Sequence, residues 1–241
     1  MGVGLSGARR RECPNQYGPV VLDYAFHWST VWAKLPEMLD GAVVTVLTTA
    51  LSMLLGTALA LPLALARRQG QGPLYRVATG WIEVSRNTPA LFQIYMAYFG
   101  LGAIGIDVPS LVALVAALTF NNAGYLAEIF RGGLAAVPPT QFSAARSLGM
   151  TPLQSYRRVI FPQVFAIVYY PFVNQLNWAL LNTSLGMIIG ARELTGATQA
   201  AQSESFRTFE FFIVAAVMYY AISKAVTFAG RVAAWRVLRR G

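Results

Sequence analysis

The sequence predicts an all-α membrane protein with five transmembrane helices, and two observations carry this prediction. Of the 241 residues, 56% are hydrophobic and only 12% are charged, whereas a soluble domain carries about 25% charged residues. The chain also contains five stretches that lack charged residues altogether. Because a bilayer core offers no water to backbone polar groups, spans of this kind form helices rather than open strands.

Each of the five stretches is long enough to be a span, four of them directly. A helix needs about 20 mainly apolar residues to cross roughly 30 Å of hydrocarbon. Residues 41–66, 87–106, 108–127 and 159–191 meet this length. The fifth uncharged stretch, residues 211–223, reaches this length only when it is extended to residues 209–229, with the charged end of Lys224 directed toward the headgroups. We therefore predict a membrane domain over residues 38–230.

Residues 1–37 are more polar and are predicted to form an N-terminal tail and an interfacial segment. The segment covers residues 24–39, where Trp28 and Trp32 are placed to lie among lipid headgroups. No apolar stretch follows the arginine triplet at residues 9–11, so no cleavable signal peptide is predicted. The spans themselves are expected to hold the chain in the membrane.

The charges of the loops predict that the N-terminus lies outside and the C-terminus in the cytoplasm. Lys and Arg residues concentrate between spans one and two, between spans three and four, and after span five, where residues 231–241 form a basic tail. The remaining loops carry only Arg192 and Arg207. Loops rich in Lys and Arg stay cytoplasmic. The triplet 9–11 and Lys34 oppose this orientation, but the triplet lies too far from span one to dominate.

Residue counts exclude several kinds of site. Cys13 is the only cysteine and His27 the only histidine, which excludes an internal disulfide and a Cys/His zinc site. Carboxylates are scattered, so no metal site is predicted. The net charge is +9, and the basic residues lie between the uncharged stretches. This placement indicates control of membrane topology rather than nucleic-acid binding. No Walker lysine motif is present, so the chain itself is not expected to bind ATP.

The loop at residues 137–163 carries the most information about function. Pro138 ends the third helix, and Thr140 is predicted to be the N-cap of a short helix over residues 142–148. Gly149 is predicted to end that helix in the left-handed conformation. A plain connecting loop is the simplest interpretation, but such a loop needs no capped helices.

A second short helix is predicted directly after the first. Thr151 and Gln154 form a capping box, and Pro152 occupies the favoured first helical position. The small residues Ala144 and Ala145 in the first helix allow the close approach of another surface. The loop is therefore predicted to be a rigid docking element.

These residues resemble a known family. The loop is similar to the signature loop of permease subunits of type I ABC importers, on whose positions fall Ala144, Ala145, Gly149, Ile160 and Pro162. The similarity is fuller to the polar amino acid subfamily and runs in order from residue 36 to the C-terminus. It includes residues 85–89 with Gln93, 125–133, 182–185, 189–190 and 193–195.

The resemblance implies that the loop couples the chain to a dimer of ATP-binding subunits. These partners would hydrolyse ATP with Mg²⁺, while this chain is non-catalytic and carries no cofactor of its own. A periplasmic solute-binding protein would deliver the solute to the outer side. The residues expected to contact the ATP-binding subunit are Ser143, Ala144, Ala145, Arg146, Gly149, Met150, Ile160 and Pro162.

One position departs from the family pattern, which usually has Glu where this chain has Ser143. A carboxylate at the N-terminal end of the short helix would be stabilised by roughly 0.3–1 kcal/mol. The absence of this carboxylate at Ser143 implies weaker docking of the loop to the ATP-binding subunit, or pairing of this chain with a sister permease that carries the Glu.

Polar side chains inside the spans are the candidates for a translocation path, because burying them in lipid is costly. By helical spacing Asn121, Tyr125 and Glu128 share one face of the third span, with Asn122 beside it. In the fourth span the candidates are Asn174, Asn177, Asn182 and Ser184. Two alternatives stay open, namely that the amides only bond across helices and that Glu128 forms a salt bridge with Arg131.

The sequence thus favours a permease subunit in a bacterial inner membrane that transports a polar amino acid or a related compound such as an opine. Five helices are few for a complete pathway, which implies a second copy or a sister permease. A secondary transporter or channel for small polar solutes is the alternative. Ionisable residues at mid-span are typical of such carriers, and spans one, two and four have none. An intramembrane enzyme would require a catalytic constellation that the single His27 does not provide.

Overall fold

The predicted all-α class is confirmed in a computed structural model of the protein, which describes residues 24–238. Every regular element in that range is helical. The N-terminal triplet 9–11, Cys13 and the arginines at positions 239 and 240 lie outside the described residues. The helices are α1 (Trp28–Arg68), α2 (Pro73–Asn87), α3 (Ala90–Ala103), α4 (Ser110–Ala136), α5 (Pro139–Ser147), α6 (Pro152–Ile189), α7 (Leu194–Ser205) and α8 (Thr208–Leu238).

Four of these helices are long and apolar enough to cross a membrane, namely α1, α4, α6 and α8. They contain the first, third, fourth and fifth predicted spans. The predicted second span is different, because its helix α3 has only 14 residues and is about 21 Å long. Thr88 is extended (φ −117°, ψ 144°) before Pro89, as the proline ring requires. The predicted boundaries 87–106 are therefore wrong, and α2 is a separate amphipathic helix.

The predicted interfacial segment is not separate from the first span. Helix α1 is continuous over 41 residues and includes Pro36 and Pro62, so no break marks the predicted boundary between residues 37 and 38. At 1.5 Å per residue it is about 60 Å long, twice the thickness of a hydrocarbon core. Trp28 and Trp32 lie in its first turns and are 39% and 58% exposed.

Helix α4 is the centre of the bundle and packs against α1, α2, α3 and α6. Small residues allow this close approach. In α1, Gly56 lies so near α4 that an added Cβ atom would stand 2.9 Å from the Asn122 Cβ. The core beside this contact is apolar and contains Met53, Ile82 and Leu126.

The outer surface of the bundle is strongly apolar. Leu47 and Leu54 of α1 are 62% and 68% exposed, and Phe228 of α8 is 69% exposed. Surfaces of this size are covered by lipid or by another subunit. The segment containing α5 projects from one end of the bundle, here called the loop end, and α7 lies near the other.

Candidate functional site

The predicted docking loop is formed as two short helices. Helix α5 begins at Pro139, one residue before the predicted N-cap Thr140, and its N-cap position is Pro138 with no side-chain hydrogen bond. The prediction for Thr140 is therefore wrong, because a proline in the first turn already presets the helical backbone and the helix starts earlier.

The other predicted stop and start signals of the loop are confirmed. Gly149 adopts φ +80°, and its N–H donates to the Arg146 carbonyl at 3.0 Å while Met150 N–H donates to the Ala145 carbonyl at 3.2 Å. This pair of bonds is a Schellman motif that ends α5. Thr151 then caps α6 in a complete capping box with Gln154. Two turns of fixed geometry thus make the loop stiff.

Exposure divides the predicted coupling residues into two groups. Ser143, Ala144, Arg146, Gly149 and Pro162 are exposed and Met150 is half-buried. Ala145 and Ile160 are only 3% and 6% exposed. Ile160 packs with Val137, Val164 and Val168 at the base of the loop.

The buried position of Ala145 changes the reason for its small size. Helix α5 folds back on the π-helical turn Tyr156–Ile160 at the start of α6, and the Phe142 and Tyr156 rings lie 5.3 Å apart there. Ala145 therefore serves packing within the loop, whereas Ala144 faces outward. The expectation that Ala145 meets another surface directly is not met in this chain.

Two exposed leucines are functional candidates that the sequence analysis missed. Leu148 and Leu153 flank Gly149 and are 79% and 74% exposed. An apolar side chain this exposed on a polar loop is typical of a contact surface. The signal in the sequence was the pair of leucines outside the apolar face of either short helix.

A polar cavity of about 610 Å³ lies between α2, α4 and α6. It brings together four of the predicted path residues, Asn121, Tyr125, Asn174 and Asn182. Further lining residues are Arg86, Asn87, Thr88, Gln175 and Trp178. The cavity thus combines amides, one guanidinium and two aromatic rings.

The α2–α3 break is held against α4 by a buried amide network. Asn121 Nδ2 donates to the Ser85 carbonyl at 3.1 Å and to Gln93 Oε1 at 3.0 Å. Gln93 Nε2 in turn donates to the Ser85 carbonyl at 2.9 Å and to Thr88 Oγ1 at 2.8 Å. These bonds satisfy the backbone carbonyl that the break at Pro89 releases. They place the residues before the break in the cavity wall.

Asn122 lies behind the cavity rather than in its wall. It is 1% exposed, accepts a hydrogen bond from Gln175 Nε2 at 3.0 Å and donates to Ser52 Oγ at 3.5 Å. It therefore joins α4 to α6 and α1, as in the alternative that such amides bond across helices.

Two further candidates point away from the cavity. Asn177 Nδ2 donates to Thr227 Oγ1 at 3.2 Å, and its Oδ1 accepts from Ser223 Oγ at 2.8 Å, which joins α6 to α8. Ser184 donates to the Leu181 carbonyl at 2.7 Å within the 3₁₀ turn that ends α6. Their part in a translocation path stays a prediction.

Glu128 is the centre of an ionic cluster at the loop end of the polar cavity. Its oxygens accept two hydrogen bonds from Arg131, at 2.9 Å and 2.8 Å, which confirms the predicted salt bridge. Arg67 of α1 lies 3.4 Å away and Arg86 of α2 lies 3.7 Å away. One carboxylate thus holds cations from three helices together.

Beyond this cluster a second cavity of about 520 Å³ opens between the loop and the ends of α1 and α4. Its lining includes Arg67, Arg68, Arg131, Phe142 and Ser143. The ionic cluster therefore separates the polar cavity from a space bounded by the docking loop.

The opposite end of the bundle contains two buried carboxylates that the sequence analysis did not single out. Glu193 is fully buried, caps α7 by accepting the N–H groups of Thr195 and Gly196 at 3.0 Å and 2.8 Å, and accepts the Tyr219 hydroxyl at 2.6 Å. An acidic residue directly before a helix was the available signal.

Glu210 is likewise fully buried and accepts hydrogen bonds from the His27 N–H at 2.9 Å and from the Tyr24 hydroxyl. Nearby, Lys34 lies 2.8 Å from Glu204, and its hydrogen bond holds the pKa of the Glu204 carboxyl below the ordinary value. These contacts tie the start of α1 to α7 and α8.

The described part of the chain contains no group of three or more His, Cys, Asp and Glu residues that would hold a metal ion. The polar side chains of the cavity are amides, hydroxyls and one guanidinium. Such a lining suits the reversible binding of a polar solute.

The sequence of the chain matches the family described as "Binding-protein-dependent transport system inner membrane component" over residues 52–239. It is 35% identical to the octopine transport system permease protein of Rhizobium radiobacter, with 82% of each chain covered. It is 31% identical to the glutamine transport system permease protein of Escherichia coli (strain K12), covering 84% of this chain and 94% of that protein.

Solved structures agree with these relatives. A crystal structure of an amino acid ABC transporter with histidines matches with a TM-score of 0.82 and 32% identity, over 90% of this chain and all of the matched chain. An inward-facing structure of the MetNI methionine ABC transporter shares the fold, with a TM-score of 0.68 at 21% identity. The chain belongs to the family of binding-protein-dependent transport system inner membrane components.

Proposed function

Because the chain belongs to this family, we propose that it is the non-catalytic, membrane-spanning permease subunit of an ATP-driven importer in a bacterial inner membrane. Its solute is a polar amino acid or a related compound such as an opine. The resemblance of the fold and sequence to amino acid and opine permeases supports this solute class. ATP and Mg²⁺ belong to the partner subunits, and this chain holds no cofactor.

The observation that carries the proposal is the exposed apolar surface of the docking loop. Leu148 and Leu153 are the two strongly exposed leucines on either side of the Schellman turn at Gly149. In an aqueous compartment this surface is stabilised when another protein covers it. The partner is an ATP-binding subunit, and two such subunits serve two permeases.

The loop is built to transmit a push from that partner. Both short helices are closed by fixed turns, and Ile160 and Val137 pack at its base against the ends of α4 and α6. A displacement of the loop therefore moves the ends of these helices. The ionic cluster at Glu128 lies in α4 before the end of that helix that meets the loop, and it connects α4 with α1 and α2.

The polar cavity is the proposed binding place of the solute on its way through. Asn121, Tyr125, Asn174 and Asn182 are its predicted path residues, whereas Asn122, Asn177 and Ser184 support the surrounding helices. Glu128 closes the cavity toward the loop. The cytoplasmic side is the loop end, in agreement with the predicted orientation of the N-terminus outside.

A second permease completes the pathway, either another copy of this chain or a sister permease. The exposed apolar faces of α1 and α8 provide surface for that partner and for membrane lipid. A periplasmic solute-binding protein docks at the end that contains α7, Glu193 and Glu210.

Co-purification tests the proposal. The tagged chain is extracted from its native membrane in mild detergent, and its partners are identified by mass spectrometry. We expect an ATP-binding subunit with the wild-type chain and its loss with Leu148→Asp. Gln141→Asp is the matched control, since it places the same charge at an exposed position of α5 and should retain the partner.

A second test of the proposal measures the uptake of labelled amino acids by cells that express the importer. We expect uptake to require both the solute-binding protein and ATP. A chain that purifies alone even after cross-linking, or uptake driven by an ion gradient without ATP, would refute the importer assignment in favour of a secondary carrier.

A further inference from the structure

The polar cavity has an unusual charge composition. Arg86 is the charged residue in its wall, and no carboxylate lines it within the described residues. A charged group at the edge of a membrane-embedded cavity is costly unless a counter-charge approaches it. Arg86 therefore needs a source of negative charge close to its guanidinium group.

The neighbouring carboxylates do not supply enough negative charge. Glu128 and Glu83 are shared among Arg67, Arg86 and Arg131. Arg131 takes both oxygens of Glu128 at hydrogen-bonding distance, and Arg67 is hydrogen-bonded to Glu83 at 2.8 Å. Three guanidinium groups against two carboxylates leave one positive charge without compensation.

Of the three arginines, Arg86 is the one without a hydrogen bond to a carboxylate within the described residues. Its guanidinium is 3.7 Å from Glu128, beyond the length of a charge-assisted hydrogen bond, and its side chain is 40% exposed. Among the residues described, its five N–H donors form no hydrogen bond. Arg131 and Arg67 by contrast are hydrogen-bonded to carboxylates.

Arg86 is nevertheless held in place. Its guanidinium lies 5.6 Å from the centre of the Tyr125 ring, and the Tyr125 hydroxyl donates to the Arg86 carbonyl at 3.4 Å. A cation positioned over an aromatic face retains its charge and its in-plane N–H groups. Because Arg86 lines the cavity, donors that carry no hydrogen bond within the described residues are available to a ligand there.

We propose that Arg86 binds the carboxylate of the transported solute, so that the cavity accepts solutes with a free carboxylate and discriminates against those without one. This inference rests on the proposed function, since it assigns a role within the same cavity. The guanidinium fork matches a carboxylate in a two-bond arrangement. Asn174 and Asn182, which also line the cavity, offer amide oxygens to the ammonium group.

The assignment predicts a specific pattern of binding. A site that donates to a carboxylate binds the matching carboxamide about 10- to 100-fold more weakly, because a charge-assisted pair is replaced by a neutral one. The loss should depend on Arg86 and on no other exposed arginine of α2.

The test uses the permease in complex with its ATP-binding subunits in lipid nanodiscs, without the solute-binding protein. Tritiated L-glutamine, L-glutamate, L-histidine and octopine are the probes, and the tightest is paired with its carboxamide. Affinities are measured for the wild-type chain, Arg86→Gln and Arg86→Lys. Arg76→Gln is the matched control, because Arg76 is an exposed arginine on the same helix outside the cavity.

We expect the preference for the carboxylate to fall below about 3-fold in Arg86→Gln, with the affinity for the carboxamide unchanged. Arg86→Lys should retain an intermediate preference, since it keeps the charge and loses the fork. Arg76→Gln should match the wild-type chain. Retention of the ATP-binding subunits by each variant verifies that the fold is intact.

Two results would overturn the inference while leaving the proposed function intact. One is a wild-type chain that binds carboxylate and carboxamide equally well. The other is an equal loss of both ligands in Arg86→Gln, which indicates a structural role. If the wild-type complex binds none of the probes, the proposed solute class fails and the role of Arg86 fails with it.

Discussion

The side chain of Ser85 in α2 lies directly against Gly124 in α4, where an added Cβ atom would stand 2.8 Å from the Ser85 Cβ. The two helices approach this closely only because position 124 has no side chain. The contact lies beside Asn121 and Tyr125, so it sets the distance between the two walls of the polar cavity that they share.

Gly124→Ala should therefore displace α2 from α4. Overpacking of this kind costs about 1–3 kcal/mol, and we expect a lower Tm in nanodiscs together with impaired uptake. Gly132→Ala in the same helix is the control, because no atom lies within 4 Å of a Cβ added there. Equal melting temperatures for the two variants would contradict the close contact.

The left-handed conformation of Gly149, at φ +80°, makes a second prediction. Gly149→Ala places a Cβ atom in a conformation that costs about 1–2 kcal/mol, although nothing lies within 4 Å of that atom. We expect the loop to lose its geometry and the co-purified complex to lose ATPase activity, with little change in Tm of the spans. Unchanged coupled ATPase activity would show that the turn geometry is dispensable.

The capping box at the start of α6 is tested by comparing two threonines. Thr151→Ala removes the acceptor for the Gln154 N–H and should lower the stability of the helix start in the loop by about 1 kcal/mol. Thr140→Ala should be nearly silent, because the side chain of Thr140 does not cap α5. Hydrogen exchange of residues 139–160 measures both. Faster exchange in Thr140→Ala than in Thr151→Ala would reverse the assignment of the caps.

The buried carboxylate Glu193 is expected to stabilise the end of the bundle that contains α7. Glu193→Ala leaves the N–H groups of Thr195 and Gly196 without their acceptor, at a cost of about 1–3 kcal/mol for each buried group left unpaired, whereas the Tyr219 hydroxyl loses Glu193 but keeps Thr195 Oγ1 at 2.9 Å. Tyr219→Phe removes one donor and should cost less. Thermal unfolding in nanodiscs ranks the two variants, and a larger effect of Tyr219→Phe would refute the cap.

The pair of Lys34 and Glu204 should respond to pH. Its hydrogen bond lowers the pKa of Glu204 in the folded state, so the pair stabilises the fold above the ordinary pKa of a glutamate, about 4.3, and this stabilisation is lost as the pH falls. We expect wild-type Tm to exceed that of Glu204→Gln at pH 7 and the difference to shrink as the pH falls below about 4.3. A difference that persists at low pH would exclude ionic pairing as its origin.

The local features of this protein were readable from the sequence because each depends on few neighbouring residues. The apolar stretches predicted four spans correctly, and Gly149, Thr151 and Gln154 predicted the turns of the loop. Thr140 failed as a cap because a neighbouring proline started the helix first. The helix of the second predicted span is shorter than its apolar stretch, because Pro89 separates it from α2.

The grouping of the polar residues followed no local rule. Helical spacing placed Asn121, Tyr125 and Glu128 on one face, yet only Asn121 and Tyr125 line the polar cavity, and Glu128 turns to the arginines. The hydrogen-bond partner of an amide or a carboxylate is often a residue from a helix far away in the chain. Gln175, for example, donates to Asn122, which is 53 residues earlier.

The sequence by itself determined that the chain is helical, where most of its helices run, and that residues 137–163 form a capped, rigid loop, because backbone propensity and hydrophobicity act over short distances along the chain. Only the tertiary structure decided that Ala145 is buried while Leu148 is exposed, that Arg67, Arg86 and Arg131 converge on Glu128, and that Arg86 lies in the wall of a polar cavity. Electrostatic and packing energies depend on distances between helices, and those distances exist only after the bundle has formed.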